Sequence, residues 1–90
     1  MLKIKPGYVL RTVANQHIVV PTGEASVRFN GVITLNDSGK MLFEALKKGA
    51  TQADLITTLT NAYDVDEAEA KKDIDAFLKT LEQKDVLEQR

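Results

Sequence analysis

The sequence predicts an α+β domain in which a three-stranded antiparallel sheet is followed by three helices. Three observations carry that prediction. Short β-rich runs occupy the first third of the chain, and helical periodicity with capping residues takes over after Asn36. Ninety residues with 43% hydrophobic and 28% charged content also suffice for one packed core, since roughly 64% of the extended area is buried at this length. No repeat, low-complexity run or linker interrupts the chain, so residues 1–90 read as one domain.

Tyr8 to Val13 and His17 to Val20 are β-rich runs joined through Ala14, Asn15 and Gln16, and they read as a hairpin because Asn tolerates a left-handed backbone. Pro21, Thr22 and Gly23 break the second strand, and a loop is expected to Asn30. Val32 to Leu35 forms the third strand, with Val32 and Thr34 on one face and Ile33 and Leu35 on the other.

At Asn36 and Asp37 the period changes. Either side chain can accept orphan amide protons at a helix start, and Met41, Leu42, Ala45 and Leu46 then recur at helical spacing until Gly49. Thr51 with Asp54 is an acidic variant of the capping box, followed by a stripe of Leu55, Ile56, Leu59, Ala62 and Tyr63. Asp66 with Glu69 repeats the capping logic before a longer helix, whose core face is Ala70, Ile74, Phe77 and Leu81 and which ends near Lys84. Val86 and Leu87 read as a short tail tucked back onto the core.

Composition excludes several kinds of chemistry. Without cysteine there is no disulfide, thiolate zinc site or cysteine nucleophile. The apolar runs are far too short to span a bilayer and Met1 to Gly7 lacks a signal core, so the chain reads as cytoplasmic with no membrane partner. The one histidine, His17, has no carboxylate or serine near it in sequence and reads as a half-exposed strand residue. Asp64, Asp66, Glu67 and Glu69 lack the glycine and glutamate spacing of a calcium loop and read as helix caps. The five glycines are scattered, so no phosphate cradle forms. An enzyme is not expected, and neither is a metal or other cofactor.

Charge is unevenly spread. Seven basic residues oppose three acids from Met1 to Ala50, leaving +4, while the remainder carries −5. Three helices with strands suggest a winged-helix regulator of transcription, in which the last helix enters the major groove. Between Asp64 and Asp85, however, eight acids face four lysines where phosphates would lie. Nucleic acid is therefore the second reading.

The order and spacing of several short segments resemble the PqqD-like family of peptide-recognition modules. They are Gly7-Tyr8-Val9-Leu10-Arg11, Ile18-Val19-Val20-Pro21 with Gly23, Phe29-Asn30-Gly31, Tyr63-Asp64-Val65-Asp66 and Asp73-Ile74-Asp75-Ala76-Phe77-Leu78. Leu35-Asn36-Asp37-Ser38-Gly39, matching the family's strand-to-helix junction, is the most telling. Members of the pyrroloquinoline quinone pathway usually carry a shorter loop after the second strand and a Gly-Trp towards the end. Here residues 21–28 and Lys84-Asp85-Val86-Leu87 stand instead. The chain thus looks more like the broader stand-alone members associated with radical S-adenosylmethionine maturases.

The resemblance implies a winged-helix-like fold and a non-catalytic adaptor. Such a module binds the leader of a ribosomally made precursor peptide and presents it to a maturase. If the third strand is an edge, a leader can add there in antiparallel register through main-chain bonds, with Val32, Ile33, Thr34 and Leu35 the expected strand residues, Ile33 or Leu35 contributing to the groove and the others to the core. Side-chain pockets then lie between this strand and the third helix. On a helical wheel, Leu78, Lys71 and Asp75 lie progressively round one side of the core direction, which makes Leu78 the expected groove floor and Lys71 and Asp75 either its charged flank or a pair bonded to each other. Self-association through the same edge, as a homodimer, is a third reading.

Overall fold

The computed structural model describes residues 1–23, 27 and 33–89. Among the described residues the elements run in the order β1 (Leu2–Ile4), β2 (Tyr8–Val13), β3 (Gln16–Pro21), β4 (Ile33–Leu35), α1 (Asp37–Lys48), α2 (Gln52–Ala62), α3 (Glu67–Gln83) and β5 (Leu87–Gln89). The expected strands-then-helices order holds for the main sheet, which is antiparallel with strand order β2-β3-β4. Val32 and the loop expected before Asn30 lie outside the described residues, apart from Val27 and the segment up to Gly23.

A second, two-stranded sheet was not expected. Leu2 pairs with Gln89 and Ile4 with Leu87, so the segment read as a tucked tail is a strand zipped to the other end of the chain. Leu2 also exchanges main-chain bonds of 2.7 and 2.8 Å with Ala50, beyond the end of α1. Ile4, Val86 and Leu87 are buried by this pairing. At three residues each, β1 and β5 are too short to show periodicity.

The β2–β3 hairpin is tighter than the three-residue connection expected. Gln16 pairs with Val13, leaving Ala14 and Asn15 as a two-residue turn with φ of 50° and 66°. This mirror-image turn matches the right-handed twist of its strands. Its geometry also explains why Pro21 ends β3 as a paired residue, opposite Tyr8, rather than breaking the strand earlier. The turn closes on a hydrogen-bonded Val13–Gln16 pair, and bonded pairs alternate with unbonded ones from there. Tyr8–Pro21 falls on an unbonded pair, so β2 asks no N–H of the proline. The next pair out is bonded as the alternation requires, with the Thr22 N–H donating to the Gly7 carbonyl at 2.7 Å.

Each helix starts on a side chain that accepts an orphan amide. Asn36 accepts the Gly39 N–H at 2.8 Å, and Asp66 accepts that of Glu69, also at 2.8 Å. Thr51 and Asp54 form the reciprocal capping box, at 3.0 and 3.1 Å. Gly49, at φ 98°, caps α1 in a conformation that side chains avoid.

The core lies between the β2-β3-β4 sheet and the helices. Phe43, Leu46, Leu55, Ile74, Leu81, Val19 and Val86 are its fully buried large members. Phe43 falls outside the two-sided stripe the sequence suggested for α1, which packs against β1, β4 and α2 and so buries a wider arc. Ala62 and Tyr63, assigned to the α2 stripe, are exposed at its carboxyl end.

Candidate functional site

The hairpin alternation also settles which way the β4 backbone points. His17 and Val19 turn their peptide groups away from β2, and they pair with Leu35 and Ile33 respectively. Those two are therefore the bonded pairs of the β3–β4 ladder, and Ile18–Thr34 is the unbonded one. The N–H and C=O of Thr34 consequently face out from the sheet, at an edge with no further strand among the described residues. Ile33 and Leu35 both point into the core, at 6% and 8% exposure, and the Thr34 side chain is exposed. One residue of the strand thus offers both its peptide groups and its side chain.

Beside this edge runs a groove against α3. Next to β4 it is a cleft of about 240 Å³ walled by Phe77, Thr80 and Leu81. It continues past the start of α1 as a cleft of about 320 Å³ that shares Phe77 and Asn36, with Asp73 and Ala76 on the α3 side. It ends in a hollow of about 360 Å³ between Asp37, Asp73 and the apolar surface of Leu59, Tyr63 and Val65. Gly39 sits under the junction. A Cβ there would stand 3.2 Å from Asn36 Oδ1 and 3.3 Å from Leu35 Cβ, so a small residue keeps β4 close to α1.

The expected groove residues divide. Ile33, Thr34 and Leu35 line the cleft, and Val32 lies outside the described residues. Leu78, Lys71 and Asp75 do not line it. Asp75 accepts a hydrogen bond from the Gln52 side chain on α2, and by helical spacing Lys71 and Leu78 share that flank. The wheel puts these three on one flank but could not say which neighbour that flank meets: the α2 side carries Leu78, and the β4 side carries Phe77 and Thr80. Phe77, assigned wholly to the core, is instead half-buried at the floor of the groove. Its place at the edge of the apolar arc was the available signal.

His17 is not the partnerless residue that sequence proximity suggested. Its Nδ1 lies 2.9 Å from Thr12 Oγ1 and its Nε2 lies 2.8 Å from Asp37 Oδ1. Folding brings Asp37 from twenty positions away, because α1 begins just after β4, the strand that pairs with His17. The chain Thr12–His17–Asp37 ties β2, β3 and the α1 start together. Asp37 is largely exposed and Thr12 lies on the surface. Among the described residues no group of three or more His, Asp or Glu side chains could hold a metal, and no helix is long and apolar enough to cross a membrane.

This arrangement defines a class of protein: a small α+β module with an open sheet edge beside a helix-walled groove. The family model for coenzyme PQQ synthesis protein D (PqqD) matches residues 16–87, and the chain belongs to that family. No curated protein matches it in sequence. Two solved structures share the fold. TbiB1 in complex with the TbiA(beta) leader peptide aligns with a TM-score of 0.77 at 19% identity, covering 98% of this chain and 96% of that one. Lasso peptide synthetase B1 complexed with the leader peptide aligns with a TM-score of 0.76 at 19% identity, covering 98% of each chain.

Proposed function

We propose that this protein is a non-catalytic adaptor that captures the leader of a ribosomally made precursor peptide at the β4 edge and presents it to a modifying enzyme. The observation that carries this reading is the outward N–H and C=O of Thr34 above a groove walled by Phe77 and Thr80. An extended peptide added antiparallel to β4 bonds to Thr34 and sinks alternate side chains into the groove. Membership of the PqqD family and the leader peptides bound to two proteins of the same fold support it. The modifying enzyme is proposed to be a radical S-adenosylmethionine maturase, and the adaptor's part is to raise the local concentration of substrate.

Thr34→Pro tests the site directly. Proline removes the outward N–H and leaves the bonds to β3 intact, since those come from Ile33 and Leu35. With circular dichroism unchanged, the variant is expected to bind a fluorescently labelled precursor leader peptide about threefold to tenfold more weakly, the loss of one main-chain bond. Phe77→Ala is expected to weaken binding similarly, whereas Leu78→Arg, on the α2 flank, is expected to leave it unchanged. Equal binding by Thr34→Pro and the parent would refute the site. A steep loss of duplex DNA affinity with added salt would instead support a transcription regulator.

A further inference from the structure

The groove beside β4 has a counterpart at the other edge of the same sheet. Strand β2 is the opposite edge, and between it and α1 lies a cleft of about 440 Å³ lined by Val9, Leu10, Phe43, Glu44, Lys47 and Lys48. The same alternation that turns Thr34 outward turns the peptide groups of Tyr8, Leu10 and Thr12 outward here. The Tyr8 carbonyl is already taken, accepting from Lys47 Nζ at 2.9 Å, which confirms the direction of the backbone. Leu10 and Thr12 have no main-chain partner on that side among the described residues. Edge strand, flanking helix and apolar floor therefore recur in the same relation.

Charge separates the two grooves. The clefts beside β4 and α3 include Asp37 and Asp73 and no basic residue in their walls. The β2 groove has Lys47 and Lys48 against the single acid Glu44, and neither lysine forms an ion pair among the described residues. Two copies of this chain meeting through β2 would oppose lysine to lysine, which disfavours self-pairing. We propose that the β2 edge docks an acidic, aliphatic extended segment of the modifying enzyme, so that the module holds leader and enzyme on opposite edges of one sheet. The choice of partner rests on the adaptor reading, and the docking geometry does not. Strand addition there starts at Leu10 and Thr12 and stops at Tyr8, where Lys47 occupies the carbonyl.

The test uses the isotopically labelled full chain and a short synthetic peptide of alternating glutamate and valine, followed by NMR. The expected result is shifts concentrated at Leu10, Thr12, Lys47 and Lys48, with binding weakened about threefold to fivefold by Lys48→Gln, the loss of one exposed charge contact. A lysine–valine peptide is expected to bind more weakly, and an N-methylated glutamate–valine peptide not at all. The proposal is overturned by shifts centred on Thr34 and Phe77, by equal binding of the N-methylated probe, by absence of shifts, or by concentration-dependent self-association through β2. Thr34→Pro keeps the two sites apart: it is expected to weaken leader binding and leave the glutamate–valine shifts in place. Loss of leader binding in the parent protein with those shifts intact would sink the adaptor reading alone.

Discussion

Asp54 shows how a single exposed residue can set an acid limit. The Thr51 N–H first, and the Thr51 hydroxyl second, hold its carboxyl below the ordinary value of 3.8. A carboxyl lowered by folding stabilises the native state above that ordinary value, and the contribution is lost as pH falls through the folded one. Stability of the parent is thus expected to decline below pH 3.8 in part through this group. Thr51→Ala is expected to cost about 1 kcal/mol at neutral pH, and Asp54→Asn, which removes the titrating group, to flatten that acid limb, both readable by urea unfolding at stepped pH. The pair was legible from its spacing alone, because capping is a contact between neighbours in sequence. Phe77 and Leu78 show the opposite case. Both sit at the border of the α3 apolar arc, on opposite flanks, and only the neighbour each meets decides which lines the groove. The His17–Asp37 contact was equally hidden, since its partners are joined by chain pairing and not by proximity along the chain.

At the scale of elements, the turn Ala14-Asn15 governs more than its own geometry. Its length sets the alternation that points Thr34 outward on one edge and Leu10 and Thr12 outward on the other. Ala14, at φ 50°, is the strained member. Ala14→Asn is expected to stabilise the fold by about 0.5–1 kcal/mol in chemical denaturation, because Asn adopts this conformation at lower cost. Gly39 acts at the next junction, where a larger side chain presses on Asn36 and Leu35. Gly39→Val is accordingly expected to weaken leader binding severalfold, through displacement of β4 and because Gly39 itself lines the groove, and Gly39→Ala to do so less. The Leu-Asn-Asp-Ser-Gly junction could be read in the sequence as a cap and a helix start. Its small fifth position acquires a reason only once β4 is seen lying against α1.

Across the whole molecule, the second sheet closes the chain on itself. Val86 is fully buried, and β5 pairs with β1 across nearly the entire sequence. Val86→Ala is expected to destabilise the protein by about 1–2 kcal/mol, the cost of removing buried methyl groups. Removing β5 along with it is expected to lower stability further and to expose β1 to proteolysis. The positive first half and negative second half are likewise a property of the fold, since they become two grooves of unlike charge on opposite edges of one sheet. The amino-acid sequence by itself determined the α+β class, the order of the main strands and helices, the caps and most of the core. Each of these follows from periodicity or contacts within a few residues. Tertiary structure alone decided that β1 joins β5, which flank of α3 meets β4 and which peptide groups face solvent. Those outcomes depend on pairing parity and on packing between segments far apart in the chain, where local pattern carries no information.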